Sequence, residues 1–330
     1  MKVLVMKVGI PKTLAYYIYY PLWKGFFSSL DIELVVSQDT SRIIVDKGVR
    51  LTVNDACVPI KLYHGHAASL FDRVDYLFAP RLISMDGEHI YCPKFLGLPD
   101  MLRSSDPACP PLLSTHFDLR KGFFNQFKGF WEIGRILGAG TGEIIRAYRN
   151  GVKEYNRFQD LLQKGLTAEQ ALQVLSGEKE EGDFHRNISN EWKIAVLGYP
   201  YIIYDPYVSQ RVIPRLREQG IRVVTQDMVT PEDLARQNKH LDKDLFWTFS
   251  AQVLKAAYYY LADSQVKGII HVTAFGCGPD FIVDKIMEIE CKKRQGLSFM
   301  TLSIDEHTGE AGFVTRIEAF TDMLEFQGVV

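Results

Sequence analysis

The sequence predicts an α/β protein built from two doubly wound, parallel-sheet domains with a helical connecting segment. A chain of 330 residues is long enough for two cores, because single cores stop growing at roughly 250–300 residues. Short continuous apolar runs alternate with helical patterns, which is typical of parallel sheets covered on both faces. The same order of elements also occurs twice. We therefore predict an N-terminal domain over 1–129, a helical segment and linker over 130–190, and a C-terminal domain over 191–330.

In the first half of the sequence, the apolar pattern predicts a strand over 2–10, which ends at the turn Gly9-Ile10-Pro11. An aromatic helix follows as far as Leu30, and a second strand covers 33–37. A further helix leads to a third strand over 76–80. Strands alternating with helices in this way form the crossover units of a parallel sheet.

The second half repeats this order. Its first strand ends at the similar turn Gly198-Tyr199-Pro200, and a helix over about 208–219 precedes a strand over 221–226. Two apolar runs, 268–273 and 298–304, predict the remaining strands. This repetition is the main reason for predicting two domains of one architecture.

A helical segment separates the two halves. Residues 130–175 have a helical pattern, and Thr167 with Gln170 predicts a capping box at the start of the last helix. The charged, glycine-bearing stretch 176–183 predicts an exposed linker.

Composition and charge exclude several classes of protein. The chain has 38 basic and 40 acidic residues, so neither nucleic acid nor an anionic membrane is an expected partner. No apolar run approaches the ~18 residues of a membrane-spanning helix. Residues 1–7 predict a strand rather than a signal peptide, because Lys7 interrupts the apolar run and no small-residue cleavage site follows. We therefore expect a cytoplasmic protein whose cysteines are ligands or reactive groups rather than disulfides.

Four of the five cysteines are followed by a proline within two residues. One of them, Cys109, lies in the irregular pattern PACPP (107–111) and is expected to be a loop thiol. The other three are Cys57 before Pro59, Cys92 before Pro93, and Cys277 before Pro279. Proline is favoured in the first turn of a helix because its missing N–H costs nothing there. Each of these three cysteines is therefore predicted at or next to a helix N-terminus, where free N–H groups and the positive dipole end lower a thiol pKa and favour anions.

The three thiols indicate a metal centre whose type the residues leave open. They come from both halves of the chain, so they meet only if the two domains face each other across a cleft. The chain has no Cys-x2–4-Cys pair of the kind found in structural zinc sites. Three isolated cysteines favour an iron–sulfur cube with one iron that lacks a cysteine ligand. A zinc site completed by His64 or His66, and plain buried thiols without metal, are the alternatives.

Longer motifs around these cysteines resemble a known family. They are 55–59 (DACVP), 92–100 (CPKFLGLPD), 275–280 (FGCGPD), 305–312 (DEHTGEAG) and 315–320 (TRIEAF). Together they resemble the acyl-CoA dehydratase activase-related family. That family is grouped with 2-hydroxyacyl-CoA dehydratase and benzoyl-CoA reductase subunits and with double-cubane cluster proteins. The resemblance covers nearly the whole chain.

The resemblance implies that Cys57, Cys92 and Cys277 hold a [4Fe–4S] cluster, either as a single cube or as part of a double-cubane cluster. It also implies a separate ATP-dependent activator as electron donor, an acyl-CoA or small-molecule substrate, a homo- or heterodimer, and a role in anaerobic metabolism. The sequence contains no phosphate loop. We therefore expect the chain to receive electrons rather than to hydrolyse ATP.

Other side chains are candidates for the same site. Glu306, His307 and Arg316 follow the last predicted strand and are candidate catalytic residues that position substrate or relay protons. A capped, ion-paired helix start is the alternative interpretation. Lys61 and Lys94 are candidates for binding an anionic cofactor, with solvated surface lysine as the alternative.

Three further residues are expected to be structural. His271 lies inside an apolar strand and is expected to be a core histidine whose hydrogen bonds are satisfied. Cys109 is expected to be a loop thiol, and Cys291 an incidental helix cysteine. The glycine-rich stretch 138–142 is not a dinucleotide loop, because no strand precedes it.

The sequence thus predicts an iron–sulfur electron-transfer protein that is a dehydratase or reductase component. The alternative is a non-catalytic cluster- or zinc-binding accessory or scaffold protein of such a system. A metal-free α/β binding domain is the third hypothesis.

Overall fold

The computed structural model describes residues 6–122, 124–184, 192–240 and 243–326. It confirms the predicted fold class, with two four-stranded parallel sheets. The chain divides into two compact units, the first formed by Met1–Phe158 with Phe246–Thr248 and the second by Gln159–Leu245 with Phe249–Val330. Every helix within the described residues is too short or too polar to cross a membrane.

The first unit is built on six strands and six helices among its described residues. The strands are β1 (Lys7–Ile10), β2 (Glu33–Val36), β3 (Tyr76–Phe78), β4 (Arg81–Ser84), β5 (Leu112–Leu113) and β6 (His116–Asp118). The helices are α1 (Tyr16–Ser28), α2 (Arg42–Leu51), α3 (Val58–Ala68), α4 (Pro93–Ser105), α5 (Phe124–Ile136) and α6 (Thr141–Gln163). The four-stranded sheet has the order β2-β1-β3-β5, and β4 and β6 form a separate parallel pair.

The aromatic helix α1 packs on this sheet, as the sequence predicts. The rings of Trp23 and Phe27 lie 4.9 and 5.3 Å from the ring of Phe78 on β3. On another side of the helix, Phe26 lies 4.7 Å from Phe130 of α5. All five rings are buried. Burial contributes roughly 1.5–3 kcal/mol for each such side chain, so this aromatic layer is a major part of the core.

Two glycines allow helices α2 and α3 to approach each other closely. A Cβ atom at Gly48 would lie 1.8 Å from the carbonyl oxygen of Lys61, and one at Gly65 would lie 2.1 Å from that of Ile44. Helix α3 is buried along its whole length. The glycine contact therefore fixes the position of the helix that follows Cys57.

The second unit is built on four strands and seven helices among its described residues. The strands are β7 (Lys193–Leu197), β8 (Arg222–Val224), β9 (Val266–Ala274) and β10 (Ser298–Ile304). The helices are α7 (Ala168–Ser176), α8 (Pro200–Ile203), α9 (Val212–Glu218), α10 (Pro231–Ala235), α11 (Thr248–Leu261), α12 (Gly278–Lys292) and α13 (Glu310–Phe326). The sheet has the order β10-β9-β7-β8, and all its strands are parallel.

Local backbone chemistry explains where two helices of this unit begin. Thr167 and Gln170 form the predicted capping box at the start of α7. Helix α9 begins at Val212, four residues later than predicted, because Gln210 and Arg211 have φ angles of 48° and 58°. An α-helix does not continue through such left-handed residues.

Candidate metal-binding cysteines

Each of the three cysteines predicted at a helix N-terminus is the N-cap residue of a helix. Cys57 precedes α3, Cys92 precedes α4, and Cys277 precedes α12, and each helix has proline at its first or second position. All three side chains are half-buried. The prediction of helix N-termini is therefore confirmed. Each thiol belongs to a helix end that has free backbone N–H groups and the positive end of a dipole.

In the first unit, Lys94 connects two of these cysteines. Its ammonium donates to Sγ of Cys57 at 3.5 Å. Its backbone N–H forms a hydrogen bond with the side chain of Cys92, which also interacts electrostatically with Cys57. We call these three residues the cysteine–lysine group. Neither candidate lysine is a solvated surface group, because Lys94 is half-buried and Lys61 is buried.

The pKa of the Cys92 thiol differs from the expectation for a helix N-terminus. Burial raises the pKa of Cys92, and the neighbouring Cys57 adds to the increase. The backbone N–H and the ammonium of Lys94 lower the pKa, but burial has the largest effect. The predicted lowering is therefore wrong for Cys92, because loss of hydration outweighs the helix end.

The two histidines of α3 are engaged in hydrogen bonds. His66 lies between the hydroxyls of Ser37 and Thr40, each 2.9 Å from a ring nitrogen. Burial is the main cause that lowers the pKa of His66 to about 4. His64 bonds through Nδ1 to the carbonyl oxygen of Ile60 at 2.9 Å and has a second backbone hydrogen bond. These bonds argue against a zinc site completed by either histidine.

In the second unit, Cys277 lies three residues beyond the carboxyl end of β9. The hydroxyl of Tyr199 forms a hydrogen bond with the side chain of Cys277 and lies 2.8 Å from Oγ of Ser250. Burial raises the pKa of Tyr199, and the nearby Asp280 raises it further. The phenol therefore keeps its proton and can donate it in a hydrogen bond to sulfur.

A buried charged network includes Asp280, the third residue of α12. His271 on β9 places Nε2 3.3 Å from Asp280 and Nδ1 2.8 Å from Asp284. The hydroxyls of Thr273 and Thr301 donate to Asp280 and Asp284, respectively. Although burial lowers the pKa of His271, the two carboxylates together raise it to about 9. The prediction of a satisfied core histidine is confirmed, and this histidine is charged at neutral pH.

The candidate catalytic residues lie in the turn before α13 and on that helix. In this turn, the backbone N–H of His307 bonds to Oδ1 of Asp305 at 2.8 Å. His307 is exposed and Glu306 is half-buried. Arg316 is exposed and donates to the carbonyl oxygen of Thr301. The contact of His307 closes the turn, and the contact of Arg316 joins α13 to β10. A catalytic role for Glu306, His307 and Arg316 stays a prediction.

The two remaining cysteines are not N-cap residues. Cys109 is half-buried in a loop, with Sγ 3.6 Å from the carbonyl oxygen of Pro110. Cys291 is buried inside α12, and burial raises its pKa to about 12. Both positions agree with the predicted loop thiol and helix cysteine.

The described residues contain no group of three histidine, cysteine, aspartate or glutamate side chains arranged to hold a metal ion. The first unit brings Cys57 and Cys92 together, and Cys277 belongs to the second unit. The chemistry of the donor set nevertheless fits an iron–sulfur cluster. Half-buried thiols at helix N-termini, one of them bonded to an ammonium, are suited to an anionic cluster that accepts hydrogen bonds at sulfur.

Tyr199 is a site residue that the sequence pattern did not single out. It follows β7, the sheet neighbour of β9, at the same carboxyl edge as Cys277. The residue before Tyr199 is Gly198, and a larger residue would not fit there, because its Cβ atom would lie 2.3 Å from the carbonyl oxygen of Val272. The available signal was strand adjacency, since the carboxyl ends of neighbouring parallel strands share one edge of the sheet.

Comparison with known proteins supports the activase part of the motif resemblance. A model of the family described as CoA enzyme activase uncharacterised domain (DUF2229) matches residues 7–229. The match includes the whole cysteine–lysine group, and Cys277 lies beyond it. No curated protein matches the chain.

Proposed function

The chain belongs to the CoA enzyme activase uncharacterised domain family, and from this premise we propose that it is an electron-accepting component of a CoA-thioester dehydratase or reductase system. In this proposal Cys57, Cys92 and Cys277 hold a [4Fe–4S] cluster, and one iron has no cysteine ligand. The observation that carries the proposal is the shared position of the three thiols as helix N-caps followed by proline.

The surroundings of the thiols support an anionic cofactor. Free N–H groups at three helix ends and the ammonium of Lys94 favour negative charge on sulfur. The half-buried setting limits water around the sulfurs, which strengthens these interactions. When bound, such a cluster supplies one-electron chemistry and an iron that can act as a Lewis acid.

The protein's own residues have separate roles around this centre. Lys94 donates to sulfur in the first unit, and Tyr199 does so in the second. Asp280 is held by His271 and Thr273, so the first turn of α12 is fixed beside Cys277. Asp280 and His271 are therefore positioning residues in the proposal.

The remaining roles follow the family resemblance. A separate ATP-dependent activator in the cytoplasm delivers low-potential electrons to the chain, which acts as part of a dimer. The substrate is an acyl-CoA thioester or a small molecule. Glu306, His307 and Arg316 are the groups proposed to hold substrate or to move protons.

Metal analysis after anaerobic reconstitution tests the cluster. We expect about four iron and four sulfide per chain for a single cube, and about eight iron for a double-cubane cluster. Separate Cys57→Ser, Cys92→Ser and Cys277→Ser variants should each lose most of the bound iron. Cys109→Ser is the matched control, because this half-buried thiol is not at a helix N-cap, and it should retain the wild-type iron content.

Two outcomes would contradict the cluster proposal. One is a wild-type protein that stays colourless and free of iron after anaerobic reconstitution. The other is a Cys277→Ser variant with full iron content and an unchanged paramagnetic resonance spectrum. Circular dichroism of each variant separates loss of the cluster from loss of the fold.

An activity assay separates a catalytic component from an accessory protein. The reconstituted chain is incubated with an activator, ATP and a reductant, and both cluster reduction and thioester turnover are followed. If the His307→Gln variant is still reduced but no longer turns over thioester, the chain is a catalytic component and His307 has a catalytic role. Reduction without turnover of any thioester or small multiply bonded substrate favours the accessory function.

A further inference from the structure

The second unit contains a cavity of about 90 Å³ lined by residues from the start of α7, the end of α8, the loop after α8, and α9. A single buried water needs only roughly 10–15 Å³ of such space, so the cavity has room for a polyatomic group. Arg217 of α9 is one of the lining residues. All lining residues belong to the second unit.

Arg217 has hydrogen bonds but no opposite charge among the described residues. Its Nη1 donates to Oε1 of Gln170 at 2.7 Å, and its Nη2 approaches the carbonyl oxygen of Gly165 at 3.5 Å. Its Nε is buried without a hydrogen-bond partner. Burial lowers the pKa of Arg217, and Tyr204 acts in the opposite direction.

Arg217 is half-buried, and it is unusual for its buried Nε to have neither an acceptor nor a counter-charge among the described residues. Charged groups are rarely buried unless they are paired, because desolvation of an ion costs several kcal/mol. The planar fork of arginine matches the oxygens of phosphate, and charge-assisted bonds of this type are the strong ones. An oxyanion in the cavity would supply both the missing charge and the missing acceptor for Nε of Arg217.

Arg211 and Tyr204 also line the cavity. The side chain of Arg211 is exposed and forms an ion pair with Glu218 at 3.3 Å. The hydroxyl of Tyr204 bonds to Thr225 and Asp227 nearby. The carboxylate of Glu169, at the exposed start of α7, is the one acidic side chain in the lining.

We propose that this cavity is a binding site for a phosphate-sized oxyanion, held by the guanidinium groups of Arg217 and Arg211. The site is separate from the cysteines and does not depend on the presence of a cluster. Its ligand is the phosphate group of a small molecule or free inorganic phosphate.

Calorimetric titration of the full chain with inorganic phosphate at constant ionic strength tests this site. Wild-type protein should bind phosphate saturably at one site per chain. Arg217→Gln should weaken the affinity at least tenfold. Arg222→Gln removes one positive charge from an exposed position on β8, and it should leave the affinity within twofold of wild type.

Either of two results would overturn the proposal: wild-type protein that shows no saturable binding, or Arg217→Gln that binds as wild type does. If Arg217→Gln fails to fold, Arg211→Gln decides, because that side chain is exposed and its loss should weaken binding about threefold. Unchanged affinity in Arg211→Gln would then overturn the assignment.

Two further ligands identify the source of the phosphate. Coenzyme A and dephospho-coenzyme A differ in a single 3′-phosphate, and both are titrated under the same conditions. At least tenfold tighter binding of coenzyme A, lost in Arg217→Gln, assigns the site to that phosphate. Equal binding of the two, lost in Arg217→Gln, assigns the site to the diphosphate that both contain. Binding of inorganic phosphate without binding of either molecule assigns the site to free phosphate.

Discussion

The ammonium of Lys94 lies 3.5 Å from Sγ of Cys57, while its backbone N–H is bonded to the side chain of Cys92. One residue therefore contacts both N-cap thiols of the first unit. It can do so because it is the second residue of α4, directly after the proline that follows Cys92. The position that makes Cys92 an N-cap also places Lys94 beside both sulfurs.

Replacement of Lys94 tests the electrostatic part of this arrangement. Lys94→Met should lower the reduction potential of the reconstituted protein by roughly 60 mV. The ammonium of a half-buried lysine stabilises the added electron of the reduced centre by about 1–2 kcal/mol, after allowance for solvent screening. Redox titration followed by paramagnetic resonance measures the potential. Lys128→Met, at an exposed position on α5, is the control, and equal potentials in the two variants would contradict the role of Lys94.

The helix starts at the three cysteines were predictable because the signal is local. Proline follows Cys57, Cys92 and Cys277 within two residues, and it is favoured in the first turn of a helix. The proline after Cys109 starts no helix, so the local signal is a preference. Seven of the ten described strands were predictable for a similar reason, since each lies in a short apolar run such as Val266–Ala274. The sequence did not predict β4, β5 and β6, which are two to four residues long.

The contacts around the sulfurs were not predictable, because they depend on tertiary packing. The rise in the pKa of Cys92 comes chiefly from burial, which no local pattern encodes. The bond between Tyr199 and Cys277 requires that β7 and β9 be neighbours in the sheet. Arg217 is one of many arginines in the sequence, and only the fold shows that it is half-buried, with a buried Nε and no carboxylate partner among the described residues.

The charged network in the second unit predicts a pH dependence of stability. His271 binds its proton more tightly in the folded chain, because Asp280 and Asp284 raise its pKa to about 9 from 6.5 despite burial. Its contribution is complete below pH 6.5 and is lost as the pH rises through about 9. The free energy of unfolding should therefore fall by on the order of 3 kcal/mol over this interval.

Urea denaturation at a series of pH values measures this contribution. His271→Gln should be less stable than wild type at pH 6.5, and its stability should vary little between pH 6.5 and 9.5. His116→Gln, at an exposed position on β6, should retain the wild-type dependence. Parallel curves for wild type and His271→Gln would show that the imidazolium does not stabilise the folded chain.

The glycine contact between α2 and α3 predicts a large loss of stability on a small substitution. Gly48→Ala or Gly65→Ala would force a methyl group against the backbone of the facing helix. Each should lower the free energy of unfolding by about 3 kcal/mol or more, because backbone atoms cannot move aside as a flexible side chain does. Gly142→Ala on α6, where no atom lies within 4 Å, should instead be neutral or stabilising by about 0.5–1 kcal/mol. Thermal denaturation with matching calorimetry compares the three, and similar values for all of them would contradict the close approach.

The hydrogen bond from Tyr199 to Cys277 gives a test in which the substituted residue lies in the second unit. Tyr199→Phe removes the hydroxyl and keeps the ring, which packs 5.4 Å from Phe249. A hydrogen bond to sulfur stabilises the more negative, reduced form of an iron–sulfur centre. Its loss should therefore lower the reduction potential by roughly 40 mV, which corresponds to about 1 kcal/mol for one electron.

The same substitution has a readout that needs no metal. In the cluster-free chain, loss of the phenol removes a donor that stabilises the thiolate of Cys277. Alkylation of Cys277 by iodoacetamide, followed by mass spectrometry at a fixed pH, should therefore become slower in Tyr199→Phe. Tyr207→Phe, at a position that is 37% exposed, should keep both the potential and the alkylation rate. If Tyr199→Phe and Tyr207→Phe behave alike in both measurements, the phenol has no influence on the sulfur of Cys277.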